Sequence, residues 1–338
     1  GRGVLRTLAA AYRRTGADLP GSDPRPTHHA EMEGGYWRFT DAARRRVVIA
    51  LCGINRHPGG DWATVAVAAH PGGLVRSAAV PGARASAAAY KVAAGDVLRA
   101  DARTLRADRD DVHLAVDLGD AAGWPLRLGG GGVLSAVPFL GQYWHPHVLG
   151  GQVAGRLTVD RASWTLDGAV VYAEKNWGAG FPQWWWWGQA QGFADPSLCV
   201  AFGGGRLTAG PVGADVTGCV IRSSDRVLRF SPPASHVSAA VHADTWRVQA
   251  RKPGWRAEIE GTGRGAAPAV LPVPVPAERR NVKRDLQHLA GHLRLRVWRG
   301  RSLVVDDETD LAALEVGSTD ERRAAALARG YGLTDEVD

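Results

Sequence analysis

Short runs in which apolar residues alternate with polar ones, or stand together, recur along most of the chain. The run at residues 292–298 is the clearest, because leucine and valine take every second position and arginine takes the positions between them. A period of two is typical of a β-strand with one buried face. About sixteen such runs follow one another at intervals of roughly 8–15 residues, with turn residues between them. The pattern predicts an all-β protein of antiparallel strands.

Two segments at the ends of the chain have helical periodicity instead. In residues 4–14 apolar residues fall on one face and arginines on another, and residues 319–329 begin with acidic residues and stop at Gly330. The glycine run at residues 129–132 lacks the Lys-Ser/Thr pair of a phosphate-binding loop, so we interpret it as a turn. We expect short helices at both termini and a division of the β region near residue 140.

The charge balance narrows the possible partners. The chain has 338 residues and a net charge of +7, from 41 Lys and Arg against 34 Asp and Glu. The arginines are scattered, whereas a nucleic-acid surface gathers them on one face, so we expect no nucleic-acid partner. Only four of the cations are lysines and only three residues are asparagines, which is typical of a GC-rich, bacterial genome.

Hydropathy and cysteine usage predict the compartment. No apolar run reaches the roughly 18 residues that cross a bilayer, and the apolar part of the N-terminus is too short for a secretion signal. Cys52, Cys199 and Cys219 are far apart and odd in number, as expected of buried reduced thiols. We expect a cytoplasmic protein with at most peripheral contact with a membrane. The sequence leaves the oligomeric state open.

The rarest residue types collect in one segment. Six of the 13 tryptophans lie between Trp164 and Trp187, and one of the few lysines and one of the few asparagines stand side by side in Glu174-Lys175-Asn176. A carboxyl group among tryptophans is a candidate for proton chemistry. The alternative is that the tryptophans form an ordinary core and that the carboxyl group only binds backbone in the turn at residues 178–182. The residue types alone leave both interpretations open.

Strand alternation sorts this segment into faces. After Pro182, one face carries tryptophans alternating with amides, namely Gln183, Trp185, Trp187, Gln189 and Gln191. Large aromatic rings with a few polar groups are typical of a ligand cavity. The opposite face carries Trp184 and Trp186 and then small residues, as in ordinary packing. In the preceding strand, Tyr172, Glu174 and Asn176 share a face opposite Lys175, so Glu174 and Lys175 are not expected to form a direct ion pair.

This segment resembles the signature of the tocopherol cyclase family. Residues 174–182 nearly reproduce it, and Trp185, Trp187, Gln189 and Phe193 continue it. Further similar stretches lie at residues 136–139, 150–151, 203–205, 284–285 and 312–317. Residues 33–38 look like the family's Glu-Gly-aromatic-aromatic motif, although Gly35 stands where an aromatic residue is expected.

The resemblance implies a fold of two lipocalin-like antiparallel β-barrel halves packed together. On this basis we expect an N-terminal helix and linker at residues 1–27, a first half at 28–139, a second half at 140–318 and a helical tail at 319–338. It also implies an intramolecular lyase or isomerase reaction that closes a chromanol ring on a prenylated hydroquinone without a change of oxidation state.

The residues present suit that chemistry. Ring closure requires protonation of a trisubstituted alkene and capture of the tertiary cation by the phenol oxygen, which needs no metal and no other cofactor. We predict Glu174 as the acid, because burial among tryptophans keeps a carboxyl group protonated. Indole rings attract cations, and we assign this role to Trp177, Trp185 and Trp187. Asn176 and Gln189 are predicted to orient the hydroquinone oxygens.

Other residues complete the predicted site. We assign substrate contacts to Tyr36, Trp144, Tyr172 and Gln191, and a role as general base to His145. A metal at His145 and His147 is not expected, since no third ligand stands at a recognisable spacing. Glu33 and Asp306 are backup acids, although a charge at a strand end is the commoner explanation for each.

Three functions remain open to sequence reasoning. The first is a cofactor-independent cyclase of a prenylated hydroquinone or other polyene. The second is a hydratase or isomerase in which water replaces the phenol as the trap. The third is a lipocalin-like carrier that binds a hydrophobic small molecule without chemistry. A serine hydrolase has no support, because the GxSxG motif is absent from the sequence.

Overall fold

A computed structural model describes residues 2–14, 30–86 and 90–333. The predicted all-β class is confirmed, since the described chain consists almost entirely of antiparallel strands. The helices are α1 (Arg2–Arg14) and α2 (Glu321–Gly330), with short 3-10 turns at Gly132–Ala136 and Pro276–Glu278. Asp320 begins α2 by accepting a hydrogen bond from the backbone N–H of Arg323 at 2.8 Å, which satisfies an N–H left free by the first helical turn.

The first thirteen strands occupy the chain up to Gly178. They are β1 (Met32–Asp41), β2 (Arg46–Asn55), β3 (Trp62–His70), β4 (Leu74–Pro81), β5 (Ala83–Ala85), β6 (Lys91–Ala94), β7 (Leu98–Asp101), β8 (Thr104–Arg109), β9 (Val112–Leu118), β10 (Gln142–Val148), β11 (Val153–Val159), β12 (Ala162–Thr165) and β13 (Val170–Gly178).

Ten strands follow in the C-terminal part. They are β14 (Trp184–Ala190), β15 (Cys199–Ala209), β16 (Val212–Arg222), β17 (Val227–Phe230), β18 (His236–His242), β19 (Thr245–Lys252), β20 (Trp255–Thr262), β21 (Ala269–Val275), β22 (Arg280–Arg299) and β23 (Ser302–Ser318). The strand predicted at residues 292–298 is one part of the long strand β22.

The strands form three sheets. A six-stranded sheet has the order β10-β13-β1-β2-β3-β4, and a seven-stranded sheet has the order β12-β11-β9-β8-β7-β6-β5. Their facing sides enclose one apolar core, which includes Trp37, Val65 and Leu114. A ten-stranded sheet runs β17-β16-β15-β14-β23-β22-β20-β19-β18, with β21 paired to β22. Its two ends approach each other, so that it curls around a second core that includes Phe202, Trp246 and Leu295.

The exchange of strands between sheets matters for the site. Strands β10 and β13 come from the C-terminal side of residue 140 but pair with β1 in the six-stranded sheet. Strand β14 follows β13 after a short turn and joins β23 in the ten-stranded sheet. The segment predicted as the site therefore bridges two sheets. The division into domains near residue 140 stays a prediction.

The cysteines and the helices are the features of the structure that concern the expected compartment. Cys52, Cys199 and Cys219 are buried and unpaired, and burial raises the pKa of each thiol to about 12. Neither helix in the described part of the chain combines the length and the apolar character needed to span a bilayer.

Candidate active site

A cavity lies between the six-stranded and the ten-stranded sheets. Together with its open mouth it holds about 1370 Å³ of space between atoms. Most of its wall is apolar, and the polar and aromatic side chains that the site uses are Tyr36, Trp144, Glu174, Asn176, Trp185, Trp186, Trp187, Asp285, Gln287 and Glu315. An apolar cavity with a few converging polar groups is the usual form of a small-molecule site.

Glu174 lies on the cavity side of β13 and is 7% exposed. Its Oε2 atom accepts three hydrogen bonds, from the Tyr172 hydroxyl at 2.6 Å, the Trp144 indole at 2.6 Å and the Trp187 indole at 2.9 Å. None of the hydrogen bonds given by the described residues engages Oε1. One oxygen of the carboxyl group is thus held by neutral donors from three strands, and the other lies at the cavity.

Two opposing effects set the proton affinity of Glu174. Burial raises its pKa, and the hydrogen bonds from Tyr172, Trp144 and Trp187 lower it, with burial the larger effect. Burial and the nearby Glu174 charge also raise the pKa of Tyr172 far above its ordinary value, so this phenol stays a donor. The carboxyl group is kept protonated more readily than in water, while its ionised form is stabilised in advance by three donors.

A second carboxyl group lies in the wall formed by the ten-stranded sheet. Glu315 of β23 accepts a hydrogen bond from the Trp185 indole on Oε1 at 2.8 Å and one from the Gln287 amide on Oε2 at 2.6 Å. The Tyr36 hydroxyl donates to the other end of that amide at 2.8 Å. Burial raises the pKa of Glu315 to about 7.

A third carboxyl group stands beside the second. Asp285 and Gln287 alternate along β22, and the register places Gln287 opposite Glu315 and Asp285 opposite Gly317. Asp285 is therefore the diagonal neighbour of Glu315 on the same face. Burial, followed by the Glu315 charge, raises the pKa of Asp285 well above its ordinary value.

Sequence reasoning assigned no role to Asp285 or Glu315, although both lie in stretches that carry the family resemblance. Glu315 interrupts the apolar run of residues 311–316, where every other side chain is aliphatic. An acidic residue in an otherwise fully buried strand is a signal for a function. Asp285 has no such signal, because its neighbours are mixed and only the pairing of β22 with β23 brings it to Glu315.

The structure brings most of the predicted residues together. Tyr36, Trp144, Asn176, Trp185 and Trp187 line the same cavity as Glu174, and Tyr172 contacts the Glu174 carboxyl group directly. Among the described residues, the Oδ1 atom of Asn176 is buried without a hydrogen-bond partner.

Five predicted residues lie outside the cavity lining, and Tyr172 is one of them, although it contacts the Glu174 carboxyl group. Gln189 and Gln191 share the face of Trp187 but are buried deeper, where Gln189 donates to Gln191 at 3.3 Å and Gln191 donates to the Val171 carbonyl at 3.1 Å. The structure therefore does not show either amide in a position to contact a substrate. The amides instead tie β14 to β13 beneath the site.

Trp177 and His145 point away from the cavity side, and the assignments made for them need correction. Strand alternation places Trp177 on the face of Lys175, where it stacks on Tyr143 with ring centroids 5.4 Å apart. His145 is buried beside Trp124, with ring centroids 5.2 Å apart, and its Nδ1 accepts from the Gly130 N–H at 3.3 Å. Neither ring is among the cavity-lining residues.

The tryptophan strand keeps the predicted register. Trp185 and Trp187 turn their indole N–H groups to Glu315 and Glu174, respectively, and the Trp184 ring lies within cation–π distance of the guanidinium groups of Arg206 and Arg323. Trp186 differs from the expectation, because it also borders the cavity while it donates to Thr217 at 3.0 Å. Gly317 lies under the Trp185 ring, where a β-carbon would clash, so this glycine is required to seat Trp185.

The backup acids lie elsewhere. Glu33 is buried near Arg56, with 3.4 Å between the charged groups, and Asp306 pairs with Arg294 on the surface at 2.9 Å. Arg294 lowers the pKa of Asp306, which is the opposite of what an acid needs at neutral pH. Neither residue lines the cavity.

Comparison with known proteins agrees with the resemblance seen in the sequence. A family model described as tocopherol cyclase-like matches residues 102–318, which is more than half of the chain. The chain is 28% identical over 197 residues to "Probable tocopherol cyclase, chloroplastic" of Oryza sativa subsp. japonica and 27% identical over 202 residues to "Tocopherol cyclase, chloroplastic" of Zea mays. These matches cover 55% and 56% of this chain and 42% of each relative, so the chain spans less than half of their length.

Solved structures show the same fold at low sequence identity. Kievitone hydratase from Nectria haematococca superposes with a TM-score of 0.56 at 11% identity, covering 89% of this chain and 93% of the hydratase. A structure of CghA with Sch210972 gives a TM-score of 0.57 at 10% identity, covering 86% and 88% of the two chains. At such identities the likeness concerns the fold alone.

Proposed function

We propose a function from one premise: the chain belongs to the tocopherol cyclase-like family. The function is that of a cofactor-independent cyclase, which closes a ring on a prenylated hydroquinone or a related polyene by protonating an alkene inside the cavity. The natural partner is a hydrophobic small molecule. The cytoplasmic location and the absence of a nucleic-acid partner stay predictions.

The surroundings of Glu174 carry this proposal. An acid that protonates an alkene must hold a proton at working pH and must leave a stable anion when the proton departs. Burial supplies the first property, and the three donors on Oε2 supply the second. We assign the proton to Oε1, the oxygen at the cavity. Positioned general acid catalysis is typically worth about 10²–10⁴-fold in rate.

The aromatic wall suits the cation that follows. Trp185, Trp186 and Trp187 border the cavity with large electron-rich rings, and a desolvated cation near such a ring gains on the order of 2 kcal/mol. The ring of Tyr36 lies 5.1 Å from that of Trp187 in an edge-on arrangement, which fixes both rings close to Glu174. Preorganised rings stabilise the transition state more than the neutral substrate.

Substrate orientation is the remaining requirement. Asn176 lines the cavity, and its buried Oδ1 atom has no hydrogen-bond partner among the described residues; a buried acceptor of this kind gains a hydrogen bond when a hydroxyl group reaches it. We assign it to a hydroxyl of the hydroquinone. The phenol oxygen next to the prenyl chain then faces the tertiary cation and captures it.

The test is an incubation of the protein with prenyl hydroquinones of several chain lengths, followed by mass spectrometry and separation of the products. We expect a cyclic product of unchanged mass. A product heavier by one water would indicate a hydratase, and recovery of bound, unchanged ligand would indicate a carrier; both results contradict the proposal. A hydroquinone with a saturated side chain serves as the matched control, because it fills the cavity and has no alkene to protonate.

A further inference from the structure

The wall opposite Glu174 contains two carboxyl groups with no cation beside them in the described structure. Asp285 and Glu315 are 7% and 8% exposed, and Glu315 accepts hydrogen bonds from the neutral side chains of Trp185 and Gln287. The Oδ1 atom of Asp285 is buried without a hydrogen-bond partner among the described residues. Two acidic groups are thus neighbours in the cavity wall.

Such a pair cannot carry two negative charges. Neighbouring buried carboxyl groups share one proton, because ionisation of the second works against the charge of the first. Burial raises the pKa of both groups, that of Glu315 to about 7, so a carboxylate that can accept a proton is present near neutral pH. The other titratable groups that face it are Glu174 from β13 and Tyr36 from β1, while the buried Arg38 beyond Tyr36 donates to the carbonyls of Leu289 and Leu311.

We propose that the Asp285–Glu315 pair is the proton acceptor of the reaction, and that it removes the phenol hydrogen while the ring closes. This inference rests on the proposed function. In the step, the Glu174 proton forms a C–H bond with the less substituted alkene carbon as the π bond breaks. The phenol oxygen forms a C–O bond with the tertiary carbon, and its O–H bond breaks with transfer of the proton to the Glu315 carboxylate.

The balance of this step requires both carboxyl centres. Glu174 loses a proton and the pair gains one, so the substrate gains and loses one hydrogen and the net reaction is an isomerisation. After product release, solvent in the open cavity returns a proton to Glu174 and removes one from the pair. No oxidant, reductant or further reactant enters.

The difference in surroundings decides which centre donates. The Glu174 anion accepts three hydrogen bonds on one oxygen, whereas each oxygen of Glu315 accepts one from a neutral side chain. The negative charge that Glu174 acquires when it gives up its proton raises the pKa of Glu315 further. The anion left on Glu174 is the better stabilised of the two, so Glu174 is the stronger acid and the pair is the stronger base. A base with a pKa near neutrality suits removal of a phenol proton.

Deuterium separates the two roles. The native protein, Glu315→Gln and Glu174→Gln are incubated with a prenyl hydroquinone in D₂O, and cyclic product and deuterium in recovered alkene are measured. We expect Glu315→Gln to lose about 10²–10⁴-fold of ring closure and still to place deuterium in recovered substrate or its double-bond isomers, because Glu174 still forms the cation. Glu174→Gln should lose both. Asp306→Asn, which makes the same chemical change at an exposed position of β23, should behave as the native protein.

A second readout covers the case in which Glu315→Gln folds poorly, as judged by thermal unfolding. Asp285→Asn keeps the Glu315 carboxylate but removes the carboxyl group whose hydrogen bond lowers the pKa of Glu315, so the acidic limb of the ring-closure rate should move to higher pH while deuterium exchange persists. A native closure rate in a folded Glu315→Gln protein, or an acidic limb that does not move in Asp285→Asn, would overturn the inference, as would exchange that survives in Glu174→Gln and disappears in Glu315→Gln. No closure by the native protein would instead overturn the proposed function together with this role.

Discussion

The two walls of the cavity hold carboxyl groups in opposite ways. In the wall of the six-stranded sheet, one carboxyl group, Glu174, is surrounded by neutral donors from three strands. In the wall of the ten-stranded sheet, two carboxyl groups, Asp285 and Glu315, stand together and share fewer donors. Burial raises the pKa on both sides. Hydrogen bonds oppose that rise at both Glu174 and Glu315, and the charge of Glu174 adds to it at Glu315.

This contrast shows how one cavity can contain both an acid and a base built from the same functional group. Proton affinity here depends on what lies around the carboxyl group, since burial is similar at Glu174, Asp285 and Glu315. Environments that separate the proton affinities of like groups are typical of acid–base catalysis. A variant in one wall can therefore be compared with a variant of the same chemical type in the other.

The largest effect is expected from removal of the acid. Glu174→Gln keeps the shape of the side chain and loses the acidic proton, so turnover should fall by about 10²–10⁴-fold while ligand affinity stays within a few-fold. Steady-state kinetics and ligand titration measure the two quantities. Asp306→Asn is the matched control. A well-folded Glu174→Gln protein with native turnover would end the assignment of Glu174.

The pH dependence of turnover tests the acid in one wall and the proton acceptor in the other. The native protein needs one protonated and one ionised carboxyl centre, so its rate should be bell-shaped in pH, as both centres lose their protons at high pH and the acceptor fills at low pH. In Glu315→Gln only the acid Glu174 remains. The residual deuterium exchange should therefore fall as pH rises and should not fall at low pH. A bell that survives in Glu315→Gln would show that another group is the acceptor.

Removal of one hydrogen-bond donor should destabilise the Glu174 anion without removing the carboxyl group. Trp187→Phe takes a hydrogen bond from the Glu174 anion, so the pKa of Glu174 should rise and ring closure should fall about tenfold, as a hydrogen bond to a charged group is worth about 1.5–3 kcal/mol. Carboxyl signals in NMR titrations, assigned by their loss in Glu174→Gln, give the pKa. An unchanged or lower pKa would show that this indole does not stabilise the anion.

The two faces of the tryptophan strand should differ in ligand binding. Trp185→Ala removes an aromatic wall and a donor to Glu315, so affinity should fall at least about tenfold, which is about 1.4 kcal/mol. Trp184→Ala should change it little, since that ring packs with Arg206 and Arg323. Fluorescence titration with a saturated-chain hydroquinone measures both. The reverse order would mean that the two faces of β14 are exchanged.

The smallest effect concerns stability. The pKa of Glu315 is raised from 4.5 to about 7 on folding, so the folded protein holds a proton that the unfolded chain releases between these values, and stability decreases as pH rises through them. Glu315→Gln should make the stability depend less on pH. Each kcal/mol of unfolding free energy corresponds to about 2–4 °C of melting temperature. Melting temperatures between pH 5 and pH 8 test it. An unchanged slope would mean that Glu315 is ionised throughout.

Much of the fold could be predicted because strand alternation is local. The period of two identifies the strands, and it also separates Trp185 and Trp187 from Trp184. The same rule places Trp177 opposite Glu174 and Asn176, so the assignment of Trp177 to the cavity ignored a signal that the sequence contained. His145 was assigned from residue type, and residue type does not indicate the face.

The second wall could not be predicted for a different reason. Asp285 and Glu315 meet because β22 and β23 pair over their whole length with several irregularities in register, and no local pattern fixes which residues face each other across such a pair. The order of strands, with β14 next to β23 while β13 stays next to β1, places Glu174 opposite them. These are long-range pairings, which a single sequence does not reveal.

A crystal structure of Glu174→Gln with a bound prenyl hydroquinone tests the central claim most directly, since we expect this variant to bind substrate without turning it over. The account predicts that the reacting alkene lies beside residue 174 and that the phenol oxygen next to the prenyl chain lies within hydrogen-bond distance of Glu315. A ligand bound outside the cavity, or one with its alkene at Glu315 and its phenol oxygen at residue 174, would contradict it.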